Sequence, residues 1–435
     1  MPIHIHRKSS NRLNLDRPPS AISLRFQHSG FDIVSILVAL QLSCAYIWNG
    51  MSITKSGITN VLWPDGLHPR SILDIGLVAF GALLFWLKSF RSPASDLPRF
   101  CIWVSLGILG AIYLTAMEWD WFSNYAQGCV YTLVSTVLWG VITCLLCPDR
   151  QSASAILCLP MLIEIVVGMI DDVLGHLSTV SGDLSRLSGS YGSASEFYRP
   201  LVLTIPILVA LCMSCANKKL RRLLFVCLAV FLLGLLLVWY RVAIIAVMIA
   251  CCWLIARRGA SKRVLQITIA VGLVALSAVS LVRTADGLRR RSTELSMESH
   301  VEGWKNGELL FFKHVGRGTG IGLVRIPYTI HRSHQTFVTY LPGPHNQVLL
   351  VLDESGLVGA LGWSVFIVQL YWYTRQRNSI FLDGAAASLF IIFLAGVSDT
   401  IVGIGTVEYV PSNFVFGALL GLFLLDDDIS RLVRQ

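Results

Sequence analysis

The residues best placed to do chemistry lie between His345 and Gly359, in the stretch HNQVLLVLDESGLVG. Pro342, Gly343 and Pro344 stop any element before it, since proline interrupts both helix and ladder hydrogen bonding. Leu349, Leu352 and Gly356 then follow at offsets that share one face at about 100° per residue, so the stretch predicts a short amphipathic helix. Glu354 falls on the opposite side, and Gly356 and Gly359 let the helix end or bend. His345 and Asn346 thus stand at a helix start, where backbone N–H groups are free and the dipole favours an anion. No second His, Cys or carboxylate stands at ligand spacing, so the pair suits a diphosphate better than a metal. Upstream, Gly316-Arg317-Gly318-Thr319-Gly320-Ile321-Gly322 carries a GxGxG spacing. With no strand predicted before it, the run is a weak nucleotide motif, and it reads better as a backbone nest for an anion.

The elements that must position these groups are apolar. Hydrophobic residues make up 54% of the 435-residue chain, charged residues 14%, and mean hydropathy is +0.65. A soluble protein would carry roughly 25% charged residues, so the composition excludes a soluble enzyme and indicates a polytopic membrane protein. Apolar runs near 31–48, 71–87, 100–117, 126–147, 153–172, 200–215, 223–240, 242–256, 264–282, 357–374, 384–401 and 412–425 predict about twelve spans in an all-α body. The expected layout is a tail over 1–30, nine spans over 31–282, an outer segment over 283–356, three spans over 357–425 and a tail over 426–435. The outer segment holds the one large loop, before span 10, with a helix expected around Trp304 to His314.

Charge orients this layout. The net +9 comes largely from Lys and Arg in short loops around 218–222, 257–263 and 375–377 and in the two tails. Short loops on the other side keep only Lys55, Arg70, Arg186, Arg199 and Arg241, which places both termini in the cytoplasm. No basic-aromatic stripe points to nucleic acid. The 11 cysteines lie in or beside predicted spans, including Cys144/Cys147 and Cys212/Cys215, and read as small packing residues. The polar N-terminus lacks the apolar region of a cleaved signal peptide.

The run His345-Asn346-x-x-Leu349-x-x-Leu352-x-Glu354-x-Gly356-x-x-Gly359 resembles the signature of the bacterial O-antigen ligase and O-antigen polymerase superfamily. Arg186-Leu187-Ser188-Gly189-Ser190-Tyr191-Gly192, Tyr240-Arg241, and Trp304 followed by Gly316-Arg317-Gly318 are similar to further family segments. The chain departs from the pattern at Tyr240, where the family often has Ser, and at His300, where it often has Arg. It departs again at Ser193-Ala194-Ser195, in place of Asn-Pro-Asn.

The resemblance implies transfer of a glycan from undecaprenyl diphosphate to a hydroxyl acceptor at the outer face of the bacterial cytoplasmic (inner) membrane. The acceptor is another lipid-linked glycan for a polymerase, and lipid A-core or a protein for a ligase, with polysaccharide assembly machinery as a further partner. No cofactor or metal is expected. His345 would be catalytic, since an imidazole, with an ordinary pKa of about 6.5, can act as base or donor near neutrality. Arg241, Arg186, Arg317 and Asn346 would bind diphosphate or glycan, with Asn346 orienting or capping. Arg289, Arg290 and Arg291 suit an anionic surface, and Glu164, Asp171, Asp172 and Asp399 are weaker acid–base candidates. The rival expectations are a twelve-span secondary transporter, with Glu164 as coupling carboxylate, and a non-catalytic assembly or export partner.

Overall fold

A computed structural model describes residues 150–173, 194–238, 240–259, 262–289, 292–319, 327–332, 335–340, 345–397 and 410–425, with 187, 401 and scattered positions between 105 and 149. In chain order the elements are α1 (Arg150–Val173), α2 (Ala194–Ser214), α3 (Lys218–Leu237), α4 (Arg241–Arg257), α5 (Lys262–Arg289) and α6 (Ser292–Lys313). A hairpin of β1 (Pro327–Arg332) and β2 (Gln335–Tyr340) follows, then α7 (Gln347–Gln376), α8 (Ile380–Gly396) and α9 (Val410–Leu424).

The core forms where small residues let helices approach. On α2, Phe197, Tyr198, Leu201 and Leu203 are buried, and on α8 so are Leu382, Ala385, Ala387 and Ile391. Gly384 of α8 sits where an added Cβ would lie 3.0 Å from the Ala210 Cβ of α2. Apolar side chains on α3 and α5, among them Leu223, Phe225, Ile267, Val274 and Leu281, are exposed instead. Exposed apolar side chains in such number suit lipid rather than water.

Side-chain contacts fix which helix ends lie together. Arg257, at the end of α4, donates from Nε to Asp383 Oδ1 (2.5 Å) at the start of α8 and from Nη2 to the Thr374 carbonyl of α7 (3.2 Å). Arg258 also pairs with Asp383 and donates to Asn378 Oδ1 (2.8 Å). α4 and α8 are therefore antiparallel at this end, and α7 arrives there with its C-terminus. Tyr198 of α2 stacks on Tyr240, which precedes α4, with centroids 4.3 Å apart, so α2 and α4 run parallel. The α2–α3 turn, capped by Asn217, then falls at the Arg257 end with Lys218, Lys219, Arg221 and Arg222. One end of the bundle is strongly basic. Asp383, only 2% exposed, offsets part of that charge. Asp383→Asn leaves two guanidiniums without their counterion and is expected to cost about 3 kcal/mol. Thermal unfolding in detergent checks this, and an unchanged midpoint would show that the pairing contributes nothing.

The all-α character of the body holds, but the expectation of about twelve spans is corrected. Among the described residues, five helices are long and apolar enough to cross a membrane: Arg150–Ile170, Glu196–Ser214, Lys218–Leu237, Arg263–Leu281 and Gln347–Gln376. The runs predicted as spans near 242–256, 384–401 and 412–425 fold as helices of 17, 17 and 15 residues. At about 1.5 Å per residue they reach roughly 25 Å or less, short of a hydrocarbon core of about 30 Å. Apolar content marked them as helical but not as long enough. The predicted spans near 31–48 and 71–87 lie outside the described residues, and those near 100–117 and 126–147 are described only at scattered positions. In the outer segment the helix expected around Trp304 to His314 is the second half of α6, which starts earlier, at Ser292; α5 continues to Arg289, and β1 pairs antiparallel with β2 from Pro327↔Tyr340 to Arg332↔Gln335.

Candidate functional site

Asn346 caps α7. Its backbone is extended (φ −150°, ψ 118°), and its Oδ1 accepts the N–H groups of Val348 (2.9 Å) and Leu349 (3.1 Å). Its Nδ2 donates to the Val397 carbonyl at the end of α8 (3.1 Å). Two of the donors expected to meet an anion are thus taken by the cap itself, and Asn346 ties the helix start to the bundle. Asn346→Ala is expected to cost about 1 kcal/mol, measured by thermal unfolding in detergent. An unchanged midpoint would mean that the cap is energetically idle. Next to it, Gln347 is buried and its Oε1 accepts the Ile401 N–H (3.1 Å), while Gly396 leaves no room for a Cβ beside the Gln347 side chain.

His345 precedes the cap in the left-handed region, at φ 42°. A non-glycine residue holds that conformation where its surroundings fix it. Its ring lies against that of His300 on α6, with centroids 4.5 Å apart and planes inclined at 57°. α6 runs alongside the first half of α7, where Leu310 and Leu350 are buried against each other.

The buried face of that half differs from the predicted one. Gln347, Leu350, Val351 and Glu354 are buried, at helical spacing, whereas Leu349 and Leu352 are only partly covered. The bend does fall at Gly356, with φ 63° and ψ −166°. There the Leu357 N–H donates to the Val315 carbonyl (2.8 Å), while the Asp353 carbonyl accepts the Thr319 N–H (2.6 Å) and hydroxyl (3.0 Å). An unbroken helix would join Leu357 N–H to the Asp353 carbonyl. The 315–319 loop takes the place of that missing rung. Gly318 and Gly356 let the two backbones meet, since a Cβ on Gly318 would strike the Glu354–Ser355 peptide and one on Gly356 would lie 2.5 Å from the Gly316 oxygen. The Gly318 N–H donates to the His314 carbonyl (2.8 Å). The expected anion nest is therefore corrected at this part of the run: the N–H groups of Gly318 and Thr319 serve the fold.

Of the sequence candidates, Arg241 and His345 share one end of the bundle. Arg241 begins α4, opposite Arg257, and is exposed, with Nη2 donating to the Ser280 carbonyl of α5 at 3.5 Å. Since α8 is antiparallel to α4, its Val397 end, which holds Asn346, lies at that same end. Arg317 is exposed and sits by the bend, about 14 Å along α7 from Gln347. It is not at His345. Arg186, Arg290, Arg291 and Asp399 lie outside the described residues. Glu164 is fully buried within α1, and Glu354 is fully buried on α7.

Two residues escaped the sequence reading. His300 stands out in the sequence only as a departure from a pattern, and nothing in its spacing announces a ring contact across two helices. Asp353 is fully buried, and neither of its carboxylate oxygens has a hydrogen-bond partner. Polar atoms so enclosed are rarely left unpaired. No three His, Cys, Asp or Glu side chains gather as metal ligands among the described residues.

Fold and site together define a multi-pass, largely helical membrane protein. No protein-family model matches the chain, and no curated protein matches its sequence.

Proposed function

We propose that the protein is a membrane glycosyltransferase that moves a glycan from undecaprenyl diphosphate to a hydroxyl acceptor during polymerisation or ligation of a surface polysaccharide. The observation that carries this reading is the placement of Arg241 and the rigidly framed His345 at one end of the bundle, opposite the basic end. By the positive-inside tendency the basic end faces the cytoplasm, which turns His345 and Arg241 to the outer side, where lipid-linked glycans are used. Arg241 there offers a guanidinium to a diphosphate leaving group. His345, as base or donor, activates or orients the acceptor hydroxyl. The resemblance of the His345–Gly359 run to O-antigen ligases and polymerases supports the same chemistry.

The test is a surface-glycan profile of cells lacking the protein, complemented with wild type or His345→Ala. A single-repeat product in place of a ladder identifies a polymerase, and accumulated lipid-linked polymer with a bare acceptor identifies a ligase. Full restoration by His345→Ala overturns the catalytic assignment and favours a non-catalytic assembly role.

A further inference from the structure

We infer that His300 is the positioning residue for His345, holding its imidazole in one orientation through ring-on-ring contact. The inference rests on His345 being the reacting imidazole. Its observations are separate from that reading.

Two kinds of contact act on His345. The first holds backbone: the Asn346 cap, its bond to Val397, and the Gln347–Ile401 bond. These fix where the Cα of His345 sits, including its left-handed φ of 42°. They do not restrain rotation about the bonds leading to the ring. The second set reaches the ring itself, and there the His300 imidazole lies at 4.5 Å and 57°. A tilted aromatic contact of this kind favours one relative orientation and excludes others by overlap.

His300 is in turn held rigidly. It lies on α6, whose far end is stitched into α7 through Val315, Thr319 and the glycines around the bend. Midway, Leu310 packs against Leu350. α6 is thus pinned to α7 at the helix start, the middle and the bend, and cannot slide without breaking the shared rung at Asp353 and Leu357. The exposed Glu302 and Lys305 lie further along α6, and the described end of α8 near Asn346, 391–397, carries no titratable side chain. The ring contact, carried on a helix so pinned, bears directly on the orientation of the His345 imidazole. Holding a reacting group within a narrow range of orientations is worth large factors in rate, because misplacement by about 1 Å can cost roughly 10²-fold.

The experiment uses the full chain in detergent micelles and follows carbethoxylation of His345 by diethyl pyrocarbonate, read by peptide mass spectrometry. His300→Ala is expected to speed modification several-fold by freeing the ring, and His300→Phe, which keeps a flat ring, to restore the slow rate. A His300→Ala rate equal to wild type overturns the inference. So does a His300→Phe rate as fast as that of the alanine variant. His300→Gln, polar but without a ring, stands in if the alanine variant does not fold, with the same fast rate expected. In cells, His300→Phe is expected to retain the glycan profile that His300→Ala loses. If His345→Ala leaves that profile intact, the proposed reaction falls, while the modification rates still decide whether His300 aims the ring.

Discussion

Replacing His345 is expected to lower glycan transfer by about 10²–10⁴-fold, the range a positioned general acid or base supplies. Alanine alone does not isolate the imidazole, because the backbone at this position has φ 42°. Alanine resists the left-handed region, so His345→Ala removes a ring and strains a chain at once. Asparagine enters that region more readily and has no titrating group near neutrality. His345→Asn should therefore keep the Asn346 cap and the helix start while losing transfer, and His345→Gly should do likewise with no backbone cost. The three variants are compared by the glycan ladder and by thermal unfolding in detergent. Loss in all three, with asparagine and glycine as stable as wild type, assigns the effect to the imidazole. Recovery in the asparagine variant would show that the residue serves the backbone turn, and the general acid–base role would be abandoned.

The second large effect is expected at Gly356. Its φ of 63° and ψ of −166° lie in a region that side chains do not share. An alanine there costs about 1–3 kcal/mol in backbone strain alone. The added Cβ would also stand 2.5 Å from the Gly316 oxygen and 2.7 Å from the Gly318 nitrogen, both backbone atoms that cannot swing aside. Gly356→Ala is therefore expected to expel the 315–319 loop from α7, lower the unfolding midpoint by several degrees, and abolish transfer with His345 intact. Hydrogen exchange at the Leu357 and Thr319 amides reports the expulsion directly. If both stay as protected as in wild type, the account of the bend is wrong.

Some of this was legible in the chain itself. The helix start at Asn346 and the bend at Gly356 each follow from local backbone chemistry, which acts within a few residues. Other features depend on partners far away in sequence. The first half of α7 buries Gln347 and Glu354 because α6, α8 and the 315–319 loop surround it, whereas hydropathy alone selected Leu349 and Leu352. The hairpin from Pro327 to Tyr340 carries no clean alternation to separate it from a loop. The runs that became α4, α8 and α9 were apolar enough to pass as spans, because hydropathy measures what a helix touches better than how far it reaches. The contact between His300 and His345 arises only once α6 is laid along α7.

The rung shared between Val315, Thr319, Asp353 and Leu357 has a thermodynamic consequence. Because a helix amide and a helix carbonyl are completed by a segment that precedes the hairpin, neither piece is fully hydrogen-bonded without the other. Opening the loop exposes two polar groups in the middle of a helix, and straightening the helix strands two in the loop. The two segments should therefore open and close as a single cooperative unit, with one exchange free energy rather than two. His345, fixed to the start of that helix, belongs to this unit, so the order of the site is set by the stability of a joint at Gly356, nine residues beyond Gln347, the first residue of the helix.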